Sequence, residues 1–335
     1  MAVGLERSLA VSHDENTPMK RRDLLTTGTA LAASLCTVRT SSAGAEKGNS
    51  SDFTPRYCLN SGTIRGQGLS LVEEIELAAA TGYDGIEPWT RDIQKYKDDG
   101  GSLPDLKKRL EDHGLRVESA IGFANWIVDD EAQRAQGLED AKRDMELVKA
   151  IGGTRIAAPP AGASGPDSPK LDLFTVAERY AALLEAGANI GVTPQIEVWG
   201  PSKNLSRLGE AVFAAVESGH PDACVLPDVY HVYRGGSEFE GLGLISGTAL
   251  HCFHMNDYPT DRPRETLSDA DRVYPGDGNA PLTKILHILR DIGFNGALSL
   301  ELFNRDYWKQ PAEDVARTGL AKMRNAVTDA FASSG

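Results

Sequence analysis

Four short apolar runs in the second half of the chain each end in a side chain that can bind a metal: Ile196-Glu197, Leu226-Pro227-Asp228, Phe253-His254 and Leu300-Glu301. One imidazole and three carboxylates make a mostly hard, oxygen-rich donor set. It suits a single divalent ion, Mn2+ or Mg2+ first, with Co2+ or Zn2+ as alternatives. Crowded together without a cation, the three carboxylates would raise one another's pKa values. Each residue alone has a plainer reading, a solvated glutamate or a hydrogen-bonded histidine. Four in succession point to a metal site. His251 competes with His254, but residues an odd number apart face opposite sides of a strand. His254 also lies nearer the end of its run, just before Asn256-Asp257. His231, in Asp228-Val229-Tyr230-His231, can reach the same cavity from a loop, and an earlier run, Ile86-Glu87-Pro88-Trp89, also ends in a carboxylate.

The elements that would position these residues recur along the chain. Amphipathic segments at 71–81, 103–113, 131–151, 171–190 and 281–292 each end at a glycine, and a short apolar run follows within a few residues. Glycine accepts the left-handed conformation that closes a helix. A short apolar run is the mark of a strand buried on both faces, and alternation with helices implies parallel strands. With three further runs, strands are predicted at 57–63, 83–88, 115–122, 154–158, 192–198, 223–228, 249–256 and 297–302. Eight such units fit an α/β fold of one domain, a (β/α)8 TIM barrel, in which chemistry gathers at the C-terminal ends of the strands. An open doubly wound sheet would carry a Gly-x-Gly-x-x-Gly turn after its first strand, and Asn60-Ser61-Gly62-Thr63-Ile64-Arg65-Gly66-Gln67-Gly68 lacks that spacing.

Residues 1–45 read as something other than fold. Lys20-Arg21-Arg22-Asp23-Leu24-Leu25 opens a modestly apolar stretch that ends near Ala43-Gly44-Ala45. This is the pattern of a cleavable twin-arginine export signal, and it predicts a periplasmic protein. A linker at 46–56 and the barrel at 57–331 would follow. The 335 residues hold 35 basic and 48 acidic side chains; cleavage would remove five and four of them, leaving 30 against 44 and a net charge of −14. That balance argues against a nucleic-acid partner. No apolar run is long enough to stay in a membrane once the signal is gone. Cys58, Cys224 and Cys252 are too scattered for a disulfide framework or a zinc knuckle.

The residues at the strand ends resemble the sugar isomerase/epimerase superfamily with xylose isomerase-like barrels. That family carries Glu, Asp-x-x-His, His-x-x-Asp and Glu on its fifth to eighth strands. The matching positions are Glu197, Asp228 with His231, His254 with Asp257, and Glu301. The stretch Asp269-Ala270-Asp271-Arg272-Val273-Tyr274-Pro275-Gly276-Asp277-Gly278 is similar to the loop of the inosose (2-keto-myo-inositol) isomerase branch. The resemblance implies one divalent metal held by Glu197, Asp228, His254 and Glu301. It also implies proton transfer by Glu197 and Glu301 through a cis-enediolate, giving isomerisation or epimerisation. His231 and Arg272 would contact the small sugar or cyclitol substrate, as would Asp257. Glu87, Trp89, Trp126 and Trp199 are candidate walls of the site. An exported member would meet unphosphorylated substrates, and self-association into a homo-oligomer is left open.

Three other readings compete. The same metal and base could expel an aglycone from a 3-keto-glycoside by β-elimination, making the protein a lyase. A barrel of this type can also be an abasic-site endonuclease, which the acidic charge and the seven histidines of the whole chain oppose. The last is a non-catalytic sugar-binding barrel that needs no metal.

Overall fold

The computed structural model describes residues 53–332; the export signal expected at 1–45 and most of the 46–56 linker lie outside the described residues. The strands are β1 Arg56–Asn60, β2 Gly85–Glu87, β3 Arg116–Val117, β4 Arg155–Ala158, β5 Thr193–Glu197, β6 Val225–Leu226, β7 Cys252–Met255 and β8 Ala297–Leu300. The helices among the described residues are α1 Leu71–Thr81, α2 Thr90–Asp98, α3 Leu103–Asp112, α4 Glu131–Ala150, α5 Leu173–Ile190, α6 Leu208–Glu217, α7 Val229–Arg234, α8 Leu282–Asp291 and α9 Ala312–Phe331.

All strand pairings are parallel, in two runs ordered β3-β2-β1-β8-β7 and β4-β5-β6. Two backbone bonds join the runs into a ring: Ala157 N–H donates to Ala120 C=O at 2.8 Å, and His254 N–H donates to Pro227 C=O at 3.0 Å. The eight-stranded barrel read from the sequence is therefore the observed fold.

The helix ends follow local rules. Ser70 and Glu73 form a reciprocal capping box at the start of α1, and Asp130 and Asp172 cap α4 and α5 through their carboxylates. Gly82 and Gly191 close α1 and α5 at φ of 90° and 89°, conformations that cost a side-chain-bearing residue energy. Leu59, Ile86, Ile196, Phe253 and Leu298 of the strands share one core cluster with the helices, whereas the alternate positions carry buried polar groups such as Glu87, Gln195, His254 and Ser299 and a small cluster that includes Ala157, Leu226 and Cys252. No helix among the described residues is long and apolar enough to cross a membrane.

Several strands are shorter than the apolar runs that predict them. β6 stops before Pro227, which has no N–H to continue a ladder. β1 stops at Asn60, whose side chain accepts from Gly62 N–H and starts a 3-10 turn over Ser61–Gln67. β3 stops at Val117; beyond it the chain keeps a bridge from Ile121 to Trp89 and the Ala120 bond to Ala157. Helix α2 was not anticipated, because it is short and polar and buries little beyond Thr90 and Ile93.

Candidate functional site

The parallel register brings four side chains to one end of the barrel. Glu197 is the last residue of β5, Asp228 follows β6 as the N-cap of α7, His254 lies on β7, and Glu301 follows β8. All four are buried. The His254 Nδ1 atom stands 3.0 Å from Glu301 Oε2, 3.7 Å from Asp228 Oδ2 and 3.9 Å from Glu197 Oε1. One donor atom each from Glu197, His254 and Glu301 falls within 4.8 Å of the others. His251, by contrast, lies near Arg155 and Asp222, away from these carboxylates.

The tautomer of His254 follows from its other nitrogen. Nε2 lies 3.0 and 3.2 Å from the two oxygens of Glu87. A carboxylate only accepts, so Nε2 carries the proton. Nδ1 is buried and has no hydrogen-bond partner. A lone pair facing three carboxylate oxygens fits a divalent cation, and a carboxylate behind the imidazole is the usual outer support of a metal-binding histidine. Burial works against the charged ring, but Glu301 and Glu87 outweigh it and hold the His254 pKa well above the usual range. A cation would compete with that second proton.

Arg272 ties the polar floor together. It is almost wholly buried. Its Nη1 donates to Asp228 Oδ2 at 3.0 Å and to Glu301 Oε2 at 2.7 Å, and its Nη2 donates to His231 Nε2 at 2.9 Å and to Asp269 Oδ1 at 2.8 Å. Asp228 also accepts from Asn256 Nδ2 at 2.8 Å and from the His231 N–H at 2.7 Å. Since His231 Nε2 accepts from Arg272, its Nδ1 bears the hydrogen, and that donor is unpartnered. Burial first, then the Arg272 charge, pull the His231 pKa down to about 4, so the ring is a neutral donor. Burial pushes Glu197 up to about 8, with Glu301 adding to the rise and His254 opposing it. Glu301 is buried too, but His254 and Arg272 hold it below the usual carboxylate value.

Above this floor lies a cavity of about 440 Å3, lined in part by Glu197, His231, Arg272, Glu301, Trp89 and Trp199. Three expected substrate contacts do not line it. Glu87 lies under His254, fully buried, and accepts from Asn60 Nδ2 at 2.9 Å and Ser299 Oγ at 2.7 Å. It supports the histidine rather than forming a wall. Asp257 accepts backbone N–H bonds from Tyr258, Gly276, Gly278 and Ala280. It folds the loop after β7, because four convergent amides are a better match for its carboxylate than the open cavity. Trp126 donates its indole N–H to Pro159 C=O at 2.8 Å and packs against Tyr180, so it belongs to the core.

Sequence reasoning missed Asn60, Ser299 and Asp269. Asn60 ends β1 and was open to the same strand-end reading. Ser299 has no such signal, because its partner Glu87 is remote in sequence. Phe303, which also lines the cavity, lies two residues past Glu301.

Residues 75–326 match the family described as "Xylose isomerase-like TIM barrel". An inosose isomerase from Bacillus velezensis is 27% identical over 278 residues, which cover 82% of this chain and 98% of that protein. A D-psicose 3-epimerase from Agrobacterium fabrum is 26% identical over 239 residues, covering 68% of this chain and 78% of the relative. A crystal structure described as IOLI protein with a binding zinc atom superposes with a TM-score of 0.76 at 25% identity, covering 83% of this chain and 99% of that one. The chain belongs to the xylose isomerase-like TIM barrel family.

Proposed function

We propose that the protein is a divalent-metal-dependent isomerase or epimerase of an unphosphorylated sugar or cyclitol. The observation that carries this reading is the buried, unpartnered Nδ1 of His254, with oxygens of Asp228, Glu197 and Glu301 within 3.9 Å. Glu197, Asp228, His254 and Glu301 would hold the ion. When bound, it supplies positive charge for a carbonyl oxygen and the neighbouring hydroxyl of the substrate, which acidifies the adjacent C–H.

The chain's own groups do the rest. Glu197 and Glu301 both line the cavity, from β5 and from the end of β8, so a substrate seated there meets a carboxylate from each. One takes the proton from carbon and the other returns one. Return to the neighbouring carbon gives isomerisation, and return to the opposite face of the same carbon gives epimerisation. The neutral His231 donates from Nδ1 to a substrate oxygen. Arg272 keeps that tautomer in place and holds Asp228 and Glu301 in position. The export signal read in residues 1–45 supports a periplasmic location and with it an unphosphorylated substrate.

The test pairs metal analysis with hydrogen exchange. Purified protein should carry close to one divalent ion per chain and should exchange a carbon-bound hydrogen of inosose or a ketohexose with deuterated water. Glu197→Gln should abolish exchange. Exchange that persists in this variant, or in protein stripped of metal, would overturn the proposal.

A further inference from the structure

Five aromatic side chains contribute to the cavity lining, more than a single sugar ring can stack on: Trp199, Phe123, Trp89, Phe303 and Trp308. Their rings form a continuous arc, with centroids 6.1 Å apart for Trp199 and Phe123, 5.0 Å for Phe123 and Trp89, 6.2 Å for Trp89 and Phe303, and 6.5 Å for Phe303 and Trp308. Phe123 is 42% exposed and lines the cavity rather than the core.

The polar handles of this arc are already used. The Trp89 indole N–H points to Asn60 Oδ1 at 3.5 Å, and that of Trp308 to Gly62 C=O at 3.3 Å. The guanidinium groups of Arg65 and Arg91 lie over Trp89 at 4.5 and 4.2 Å and hold its ring in place. What these rings offer a ligand is therefore apolar surface. One sugar C–H face can stack on one ring, but a hydroxyl turned toward the others would lose its water and gain no partner. A flat apolar group would gain burial against a surface that is already ordered.

We infer that the substrate is a substituted sugar or cyclitol that keeps a carbonyl beside a hydroxyl for the polar floor and carries an apolar ring, such as an aryl group, that sits in this aromatic arc. The inference rests on the isomerase or epimerase reading for what happens at the floor. The choice of substrate class comes from the arc alone.

Calorimetric titration of the full metal-loaded chain with matched pairs tests it: methyl and phenyl β-D-glucoside, methyl and phenyl β-D-galactoside, methyl and phenyl β-D-xyloside. In at least one pair the phenyl compound should bind roughly tenfold or more tightly than the methyl compound, the size expected for burying an aromatic ring. Phe123→Ala removes an exposed ring without disturbing the core, and it should shrink that ratio severalfold. Phenyl and methyl compounds of equal affinity in all three pairs, or no binding by any of them, would overturn the inference. A ratio unchanged by Phe123→Ala would overturn it too. Reading this titration beside hydrogen exchange by the wild-type protein separates the two proposals. A preference for phenyl without hydrogen exchange in the wild type sinks the catalytic reading alone; exchange without the preference sinks the substrate class alone.

Discussion

The ends of β2 and β5 are written almost alike, Ile86-Glu87-Pro88-Trp89 and Ile196-Glu197-Val198-Trp199, yet their glutamates are in opposite states. Both carboxylates are buried. Glu87 has Asn60, Ser299 and His254 around it, and despite its burial these partners, His254 first, keep its pKa below the usual value. Glu197 has only the Trp199 indole and the more distant His254 to offset burial, and its pKa is pushed up to about 8. A buried carboxylate whose lone pairs are all engaged is a structural part. One left short of partners beside a cavity is free to bind an ion or move a proton.

Four substitutions can break or sharpen this contrast. Glu197→Gln should have the largest effect, a fall in hydrogen exchange on the order of 1000-fold with little change in the urea midpoint. Glu87→Gln should show the reverse balance. It leaves His254 short of a counter-charge, so unfolding free energy should drop by about 3 kcal/mol, and metal affinity should fall about 10- to 100-fold as the histidine loses its support. Metal titration and urea unfolding would read both; no change in either would remove Glu87 from the role assigned here.

A third buried glutamate extends the comparison. Glu74 is 5% exposed, its Oε2 has no partner, and burial, with help from Asp92, pushes it up from 4.5 to about 8. Below pH 4.5 both folded and unfolded states hold the proton and nothing is lost. Between pH 4.5 and about 8 the unfolded chain ionises first, so stability falls as pH rises. Glu74→Gln should remove that loss, and its stability advantage over wild type should grow by on the order of 1 kcal/mol per pH unit across this window. Urea midpoints at pH 5, 6.5 and 8 would show it; parallel curves would mean that Glu74 finds a partner in solution. The smallest effect is expected for Ser299→Ala, which removes one of the donors to Glu87 and should cost about 1 kcal/mol, with metal content unchanged.

Much of this was legible in the sequence. The helix, glycine and strand repeat led to the barrel. The last polar residue of each apolar run led to Glu197, Asp228, His254 and Glu301, because parallel strands of a barrel all end on the same rim. The family resemblance misplaced Asp257 and Trp126 as substrate contacts, and the strand-end rule failed for Glu87. It reads only where a residue falls along its own strand, and these three are claimed by groups far away in sequence: His254 and Ser299 for Glu87, the amides of Gly276, Gly278 and Ala280 for Asp257, the Pro159 carbonyl for Trp126. Helix α2 was missed for a different reason, since a short polar helix carries little periodic signal.

By itself, then, the order of residues determined the parallel barrel and the rim on which its metal-capable side chains collect, because glycine closures, apolar runs and strand alternation are local properties. Only the tertiary structure decided which buried carboxylates are engaged and which are left open, and how five aromatic rings meet in one arc, because those outcomes depend on partners that reach the site from different strands and loops.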